Sequence, residues 1–138
     1  MPAQLKPSNR LDEYSSFRKH FQMARLRALE RRQEFSITLE DLRNQWDRQE
    51  GLCPITGWQM ENPRTVRDWN HRNTNPRRAS LDRIDSSKGY SPDNIQFVSV
   101  MANYAKNNFT LTDLIEFGLA IARRFTAESS GIDPQPST

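Results

Sequence analysis

Between Ala79 and Asn108 the chain reads ASLDRIDSSKGYSPDNIQFVSVMANYAKNN, about thirty residues that carry three aspartates and four asparagines. The acids are Asp82, Asp85 and Asp93; the amides are Asn94, Asn103, Asn107 and Asn108. Carboxylate and amide oxygens are hard donors that suit Mg²⁺, Mn²⁺ or Ca²⁺ and not a thiolate-loving metal. A packed core does not require such a density of oxygen ligands. A site for one divalent cation beside a phosphate does. Asp82 and Asp85 pairing with Arg77, Arg78 or Arg83 in a surface network is the plainer alternative.

The elements that must position these groups can be read from pattern. Ser80 to Ile84 reads as a first strand, and Ile95 to Val98 as a second. Ser86 to Asp93 between them is turn chemistry, with Gly89 expected at positive φ and Pro92 opening a turn. From Ser99 to Asn107 the spacing becomes helical through Val100, Met101, Tyr104 and Ala105. Upstream, residues 1–10 read as a flexible lead and 11–50 as a basic helical region. Its first helix is expected over Leu11 to Glu34, with Tyr14, Phe17, Phe21, Ala24 and Ala28 on one face and Arg25 and Arg32 among the cations around the rest. A second helix, Leu39 to Gln49, starts at Thr38 with Asp41 three residues on, buries Leu39, Leu42 and Trp46, and ends at Gly51. A main domain then spans 51–125, and 126–138 reads as a disordered tail. Thr110 or Thr112 caps its last helix, which runs to Phe125 with Leu114, Phe117, Ile121 and Phe125 as its stripe. Trp46, Trp58, Phe97 and Phe109 are expected in the core.

Composition sets the bounds. The chain has 138 residues with 35% hydrophobic content, enough for one modest core. Its net charge is +3 and its pI near 9.3, with the positive charge mostly on arginine, whose fork fits phosphate. Glu61 to Arg78 has no periodicity; it holds Arg64, Arg67, Arg72, Arg77 and Arg78 interleaved with Trp69 and His71, a pattern suited to a nucleic-acid contact. A single cysteine, Cys53, excludes an intramolecular disulfide and a Cys-cluster zinc site. No apolar run approaches about twenty residues, so no membrane segment is expected and the cytoplasm of a bacterial or phage-infected cell is the default.

The segment resembles the HNH, or ββα-metal (His-Me finger), endonucleases, in particular small phage and bacterial members. The residues that carry the resemblance are Leu81-Asp82-Arg83-Ile84-Asp85-Ser86-Ser87-Lys88-Gly89-Tyr90, then Asp93-Asn94-Ile95-Gln96-Phe97-Val98, then Asn103 and Lys106. Cys53-Pro54-Ile55-Thr56-Gly57 is similar to the knuckle that often precedes them. The resemblance covers about residues 52–108. It implies an α+β fold with a compact ββα-metal core and flanking helices. It also implies that Asp82 and Asn103 ligate one Mg²⁺ or Mn²⁺, that Asn94 pins the loop, and that Lys106 meets a phosphate. Asn107, one helical turn beyond Asn103, is expected on the same face, as a contact to the metal or a phosphate. Lys88 and the arginines Arg25, Arg32, Arg64, Arg67, Arg72, Arg77 and Arg78 complete the expected nucleic-acid contacts, although Lys88 also suits holding the turn.

Two departures from the family pattern matter. Arg83 stands where the family's general-base His falls, and arginine cannot take a proton. Three substitutes are open: Asp85, His71 from the arginine-rich loop, or a shifted alignment that puts Asp85 at the base position. Asp85 is favoured. The second departure concerns zinc. Thr56, Ser99 and Ala102 stand where relatives carry cysteines, so no structural zinc is expected and apolar packing around Cys53, Ile55, Trp58 and Val98 should replace it. The expected activity is metal-dependent hydrolysis of DNA, expected to be double-stranded, leaving the 5′-phosphate and 3′-hydroxyl ends that the resemblance implies. The chain would nick one strand alone or cut both as a homodimer. The rivals are an HNH-fold DNA-binding module without catalysis and a basic protein-interaction protein.

Overall fold

The computed structural model describes residues 11–64 and 75–130, with side chains through residue 126. It is mixed α+β. In chain order the elements are α1 (Arg18–Arg31), α2 (Leu39–Gln49), β1 (Ala79–Arg83), a single 3-10 turn (Pro92–Asn94), β2 (Ile95–Ser99), α3 (Val100–Lys106) and α4 (Leu111–Ser130). The chain divides into two compact units, Met1–Asn103 and Tyr104–Thr138. Among the described residues no helix is long and apolar enough to cross a membrane.

In the first unit α1 starts seven residues later than the Leu11 expected from spacing. Asp12 explains the delay. Its carboxylate accepts from the Tyr14 N–H at 2.9 Å and from both terminal nitrogens of Arg18, at 2.8 and 2.9 Å, so the chain folds into turns before the helix begins. The helix buries His20, Ala24 and Ala28 and stops at Arg32, whose φ of 54° is left-handed. α2 is built as its sequence specifies: Thr38 accepts from the Asp41 N–H, and Asp41 accepts from the Thr38 N–H at 2.8 Å. Glu50 (φ 53°) and Gly51 (φ 68°) then turn the chain away. A Cβ on Gly51 would meet the movable end of Gln59 at 2.5 Å, so it is the left-handed backbone that favours glycine there.

β1 and β2 pair antiparallel, with Leu81 opposite Phe97 and Asp82 opposite Gln96. Alternation sends Ala79 and Leu81 into the core and Ser80 and Asp82 to the other face. Phe97, wholly buried, is the hub: Phe17, His20 and Trp46 set their rings 5.9, 5.2 and 5.4 Å from it. Gln49 closes β2's second edge. Its Oε1 accepts from the Phe97 N–H and its Nε2 donates to the Phe97 carbonyl, each at 2.8 Å, so one side chain stands in for a third strand. β2 runs straight into α3. Ser99 Oγ accepts from the Ala102 N–H at 3.1 Å, and the Val100 N–H donates to the Arg78 carbonyl at 2.8 Å. On α3 the buried residues are Val100 and Ala102, whereas Met101 is exposed.

The second unit is dominated by α4. Thr110, not Thr112, caps it, in a reciprocal pair with Asp113 at 3.1 Å each way. The helix runs to Ser130, five residues past the expected end at Phe125. Its large apolar residues are exposed apart from Leu114, which is half-buried, and Phe109, expected in the core, is 62% exposed.

Candidate functional site

Asp82 sits near the end of β1, half-buried, and its Oδ2 accepts from Gln96 Nε2 at 3.0 Å. The pair is cross-strand, directly opposite in register. Asn103, on the first full turn of α3, donates through Nδ2 to Ser80 Oγ at 2.7 Å. Ser80 and Asp82 share one strand face, with Cβ atoms about 7 Å apart. Asn103 therefore lies over the face that carries Asp82. With Nδ2 committed to Ser80, the Asn103 carbonyl oxygen is the atom with ligating capacity. Ser80 and Gln96 were not assigned a role from sequence. Their register beside Asp82 is the signal that finds them.

The loop between the strands is held from within. Asn94, buried, accepts from the Asp85 N–H at 2.8 Å and donates to the carbonyls of Asp85 and Gly89 at 3.0 and 2.8 Å. Gly89 does not adopt the positive φ expected of it; among the described glycines only Gly51 and Gly57 do. It is needed for clearance instead, because a Cβ would fall 2.2 Å from the Glu34 carbonyl oxygen. Tyr90 N–H donates to that carbonyl at 2.8 Å, stitching the loop to the segment between α1 and α2.

Arg83 does not replace a base beside Asp82. One residue along the strand it points to the opposite face. There its Nη1 donates to Gln33 Oε1 at 2.6 Å and to the carbonyls of Ser86 and Lys88 at 2.9 Å each, and its guanidinium lies 5.5 Å from the Tyr90 ring centre. Nor does Asp85 extend the strand, which ends at Arg83. Asp85 Oδ1 accepts from the Ser87 hydroxyl at 2.6 Å and the Ser87 N–H at 3.0 Å, and Lys88 Nζ stands 3.9 Å from Oδ2. The Ser87 bonds, with the charges of Lys88 and Arg83, hold its carboxyl below the usual range. That makes it a weaker base than an ordinary aspartate.

The other expected contacts are scattered. His71, Arg67 and Arg72 lie outside the described residues. Asn107 is not on the helical face of Asn103: α3 ends at Lys106, and Asn107 turns the chain with a φ of 40°. Lys106 is half-buried at the helix end. Arg25 and Arg32 are exposed on and just after α1, and Lys88 is exposed on the loop. Arg64 reaches the Asp12 carbonyl at 3.5 Å. Arg77 stacks 4.7 Å over Trp58, which is half-buried and not the core residue expected. Arg78 is half-buried, its backbone bridged to Glu61.

His20, unassigned from sequence, is 6% exposed and bonds Asn62 Oδ1 through Nε2 at 3.0 Å. Burial pulls its pKa down to about 4, against the hydrogen bond to Asn62 and with the charges of Arg78 and Arg27. It is a neutral core residue. Cys53 is buried too, its Sγ accepting from the Ser99 N–H at 3.3 Å. Burial raises that thiol, but bonds from the Thr56 hydroxyl and from the N–H groups of Ser99, Thr56 and Ile55 outweigh it and lower the pKa overall. Thus Cys53, Thr56 and Ser99 do come together, held by hydrogen bonds. Among the described residues no three His, Cys, Asp or Glu side chains converge as a metal site. No protein-family model matches the chain, and neither does any curated protein or solved structure.

Proposed function

We propose that this chain is a metal-dependent endonuclease of the ββα-metal type, hydrolysing DNA phosphodiester bonds to 5′-phosphate and 3′-hydroxyl ends. The observation that carries the reading is the shared face of Asp82 and Asn103, one on β1 and the other on α3, joined through Ser80. One carboxylate and one amide carbonyl fit the cation class. Mg²⁺ typically keeps several waters and takes one or two protein carboxylates plus substrate phosphate. When bound, such a cation neutralises charge that develops on the phosphate and the leaving oxygen.

The chain's own residues have distinct tasks in this reading. Gln96 fixes the Asp82 carboxylate, and Ser80 fixes the rotation of the Asn103 amide. Asn94 and Arg83 keep the intervening loop in one shape, so the strand end does not fray. Exposed Arg25, Arg32 and Lys88 supply positive charge for phosphates. Asp85, tied to Ser87, is poorly suited to take the proton, which leaves His71 as the candidate base.

A supercoiled-plasmid nicking assay in Mg²⁺ or Mn²⁺ tests the proposal. Asp82→Ala and Asn103→Ala should each slow cutting at least ~100-fold, with far-UV CD unchanged. A second reading, a DNA-binding module that does not cut, is favoured by one observation: Arg83 and Asp85 are both engaged within the loop. Salt-sensitive DNA binding without nicking by the wild type would select it. Absence of DNA affinity at low salt would sink both and leave the basic protein-interaction reading.

A further inference from the structure

Among the described residues three arginines lie over aromatic rings: Arg43 over Tyr14, Arg83 over Tyr90 and Arg77 over Trp58. Two of them spend their N–H groups inside the protein. Arg43 pairs with Glu13, and Arg83 donates to Gln33, Ser86 and Lys88. Arg77 differs. It is exposed, it stands 4.7 Å from the Trp58 ring centre, and its guanidinium meets no acceptor among the described residues. The donors of a guanidinium lie in its plane as a fixed fork. A ring under that plane restricts the side chain and occupies none of them.

The backbone is fixed on both sides of the stack. Arg77 N–H donates to Asn75 Oδ1 at 2.9 Å, and the Arg77 carbonyl accepts from the Glu61 N–H at 3.0 Å. The carbonyls of Pro76 and Arg78 accept from the N–H groups of Met101 and Val100, at 3.3 and 2.8 Å. These bonds tie the segment to the first turn of α3, the turn that also carries Asn103. Trp58 donates its backbone N–H to Thr56 Oγ1 at 3.2 Å, and its carbonyl accepts from the Cys53 N–H at 2.9 Å. A cation held this way gives up less freedom on binding than a loose surface arginine, so more of each bond appears as affinity.

An open guanidinium fork takes a flat or tetrahedral oxyanion through two parallel bonds. Local charge favours a polyanion. The two segments that meet here carry Arg64, Arg77 and Arg78 against Glu61, which is exposed and in no ion pair among the described residues. A row of phosphates meets several such cations at once. β1 covers about 10 Å from Ala79 to Asp82, and Arg77 lies before its start, so the phosphate at Arg77 is not the one beside Asp82.

We infer that Trp58 and Arg77 form a preorganised phosphate site, in which the indole holds the guanidinium and the free fork takes one backbone phosphate of DNA away from the bond that is cut. Arg77 makes the contact and Trp58 is a positioning residue. The inference rests on the reading that this chain binds DNA and not on its cutting DNA.

The test is the anisotropy of a labelled duplex of about two helical turns, titrated with the full chain over a salt series in EDTA. Arg77→Ala, at an exposed residue, should weaken binding about tenfold and reduce the slope of log K against log[salt] by about one. Arg77→Lys, charged but without the fork, should recover only part of the loss. Trp58→Leu should weaken binding about threefold by itself and have no further effect in the Arg77→Ala background, and Trp58→Phe should restore most of it. Arg48→Ala, which removes the same charge from an exposed position on α2, should change little. An Arg77→Ala loss no larger than that of Arg48→Ala, with a wild type that binds, overturns the inference and leaves the DNA reading standing. A Trp58→Leu effect undiminished in the Arg77→Ala background also overturns it, because the two residues then act separately. A wild type without duplex affinity at low salt removes the DNA reading and this site with it, and leaves an acidic protein as the source of the oxyanion.

Discussion

Asp82 is held by Gln96 from the opposite strand, at 3.0 Å, so its carboxylate is oriented before any ligand arrives. Gln96→Ala should therefore lower nicking about tenfold at limiting Mg²⁺ and less at saturating Mg²⁺, as expected for a group that positions a ligand. Arg83 acts on the loop. Three acceptors lie on its Nη1, two of them loop carbonyls, and charge-assisted bonds of this kind contribute about 1.5–3 kcal/mol each at most. Urea denaturation should find Arg83→Ala destabilised by about 2–4 kcal/mol, with Arg83→Lys recovering part of the loss, because the acceptors share one nitrogen while the planar contact with the Tyr90 ring is lost. His20 gives a pH signature. Its folded pKa of about 4 lies below the unfolded value of about 6.5, so in that window the unfolded chain binds a proton that the fold refuses. Stability from this group is complete above the unfolded pKa and is lost as pH falls towards 4, by up to about 3 kcal/mol. His20→Gln should flatten that slope in urea midpoints compared at pH 7 and pH 4.5.

The loop from Ile84 to Asn94 behaves as one pinned element, fixed by Asn94 inside and by Glu34 and Gln33 outside. Gly89→Ala pushes a Cβ to 2.2 Å from a backbone oxygen, and the segment at Glu34 cannot yield without breaking the Tyr90 bond. That substitution should cost more than about 3 kcal/mol, read by thermal unfolding, whereas Gly57→Ala, with open space around it, should lose only the left-handed preference, about 1 kcal/mol. Much of this level was legible. The Thr38–Asp41 box and the Leu42 stripe specify α2, and the donor-rich segment specifies strand, loop, strand and helix because each change of period is local. Strand alternation could also have said that Asp82 and Arg83 face opposite sides. What was not legible depends on distant partners. Gln49 meets a backbone 48 residues away, Gly89 is required by Glu34, and the late start of α1 follows from how Arg18 turns back onto Asp12. The α4 stripe was visible as a period, but a period does not name what covers it.

At the scale of the whole molecule, a basic chain with exposed arginines should bind duplex DNA with an affinity that falls steeply with salt. The slope of log K against log[salt] should decrease by roughly one for each phosphate-contacting arginine removed, as in Arg25→Ala with Arg32→Ala. The proposed activity turns on one cation held by Asp82 and Asn103. Manganese titration of the ¹⁵N-labelled protein reads this directly, because the paramagnetic ion broadens the amides nearest to it. Broadening should start at residues 80–82, 96 and 103 and vanish from them in Asp82→Ala. Broadening centred elsewhere, or unchanged in that variant, would contradict the account.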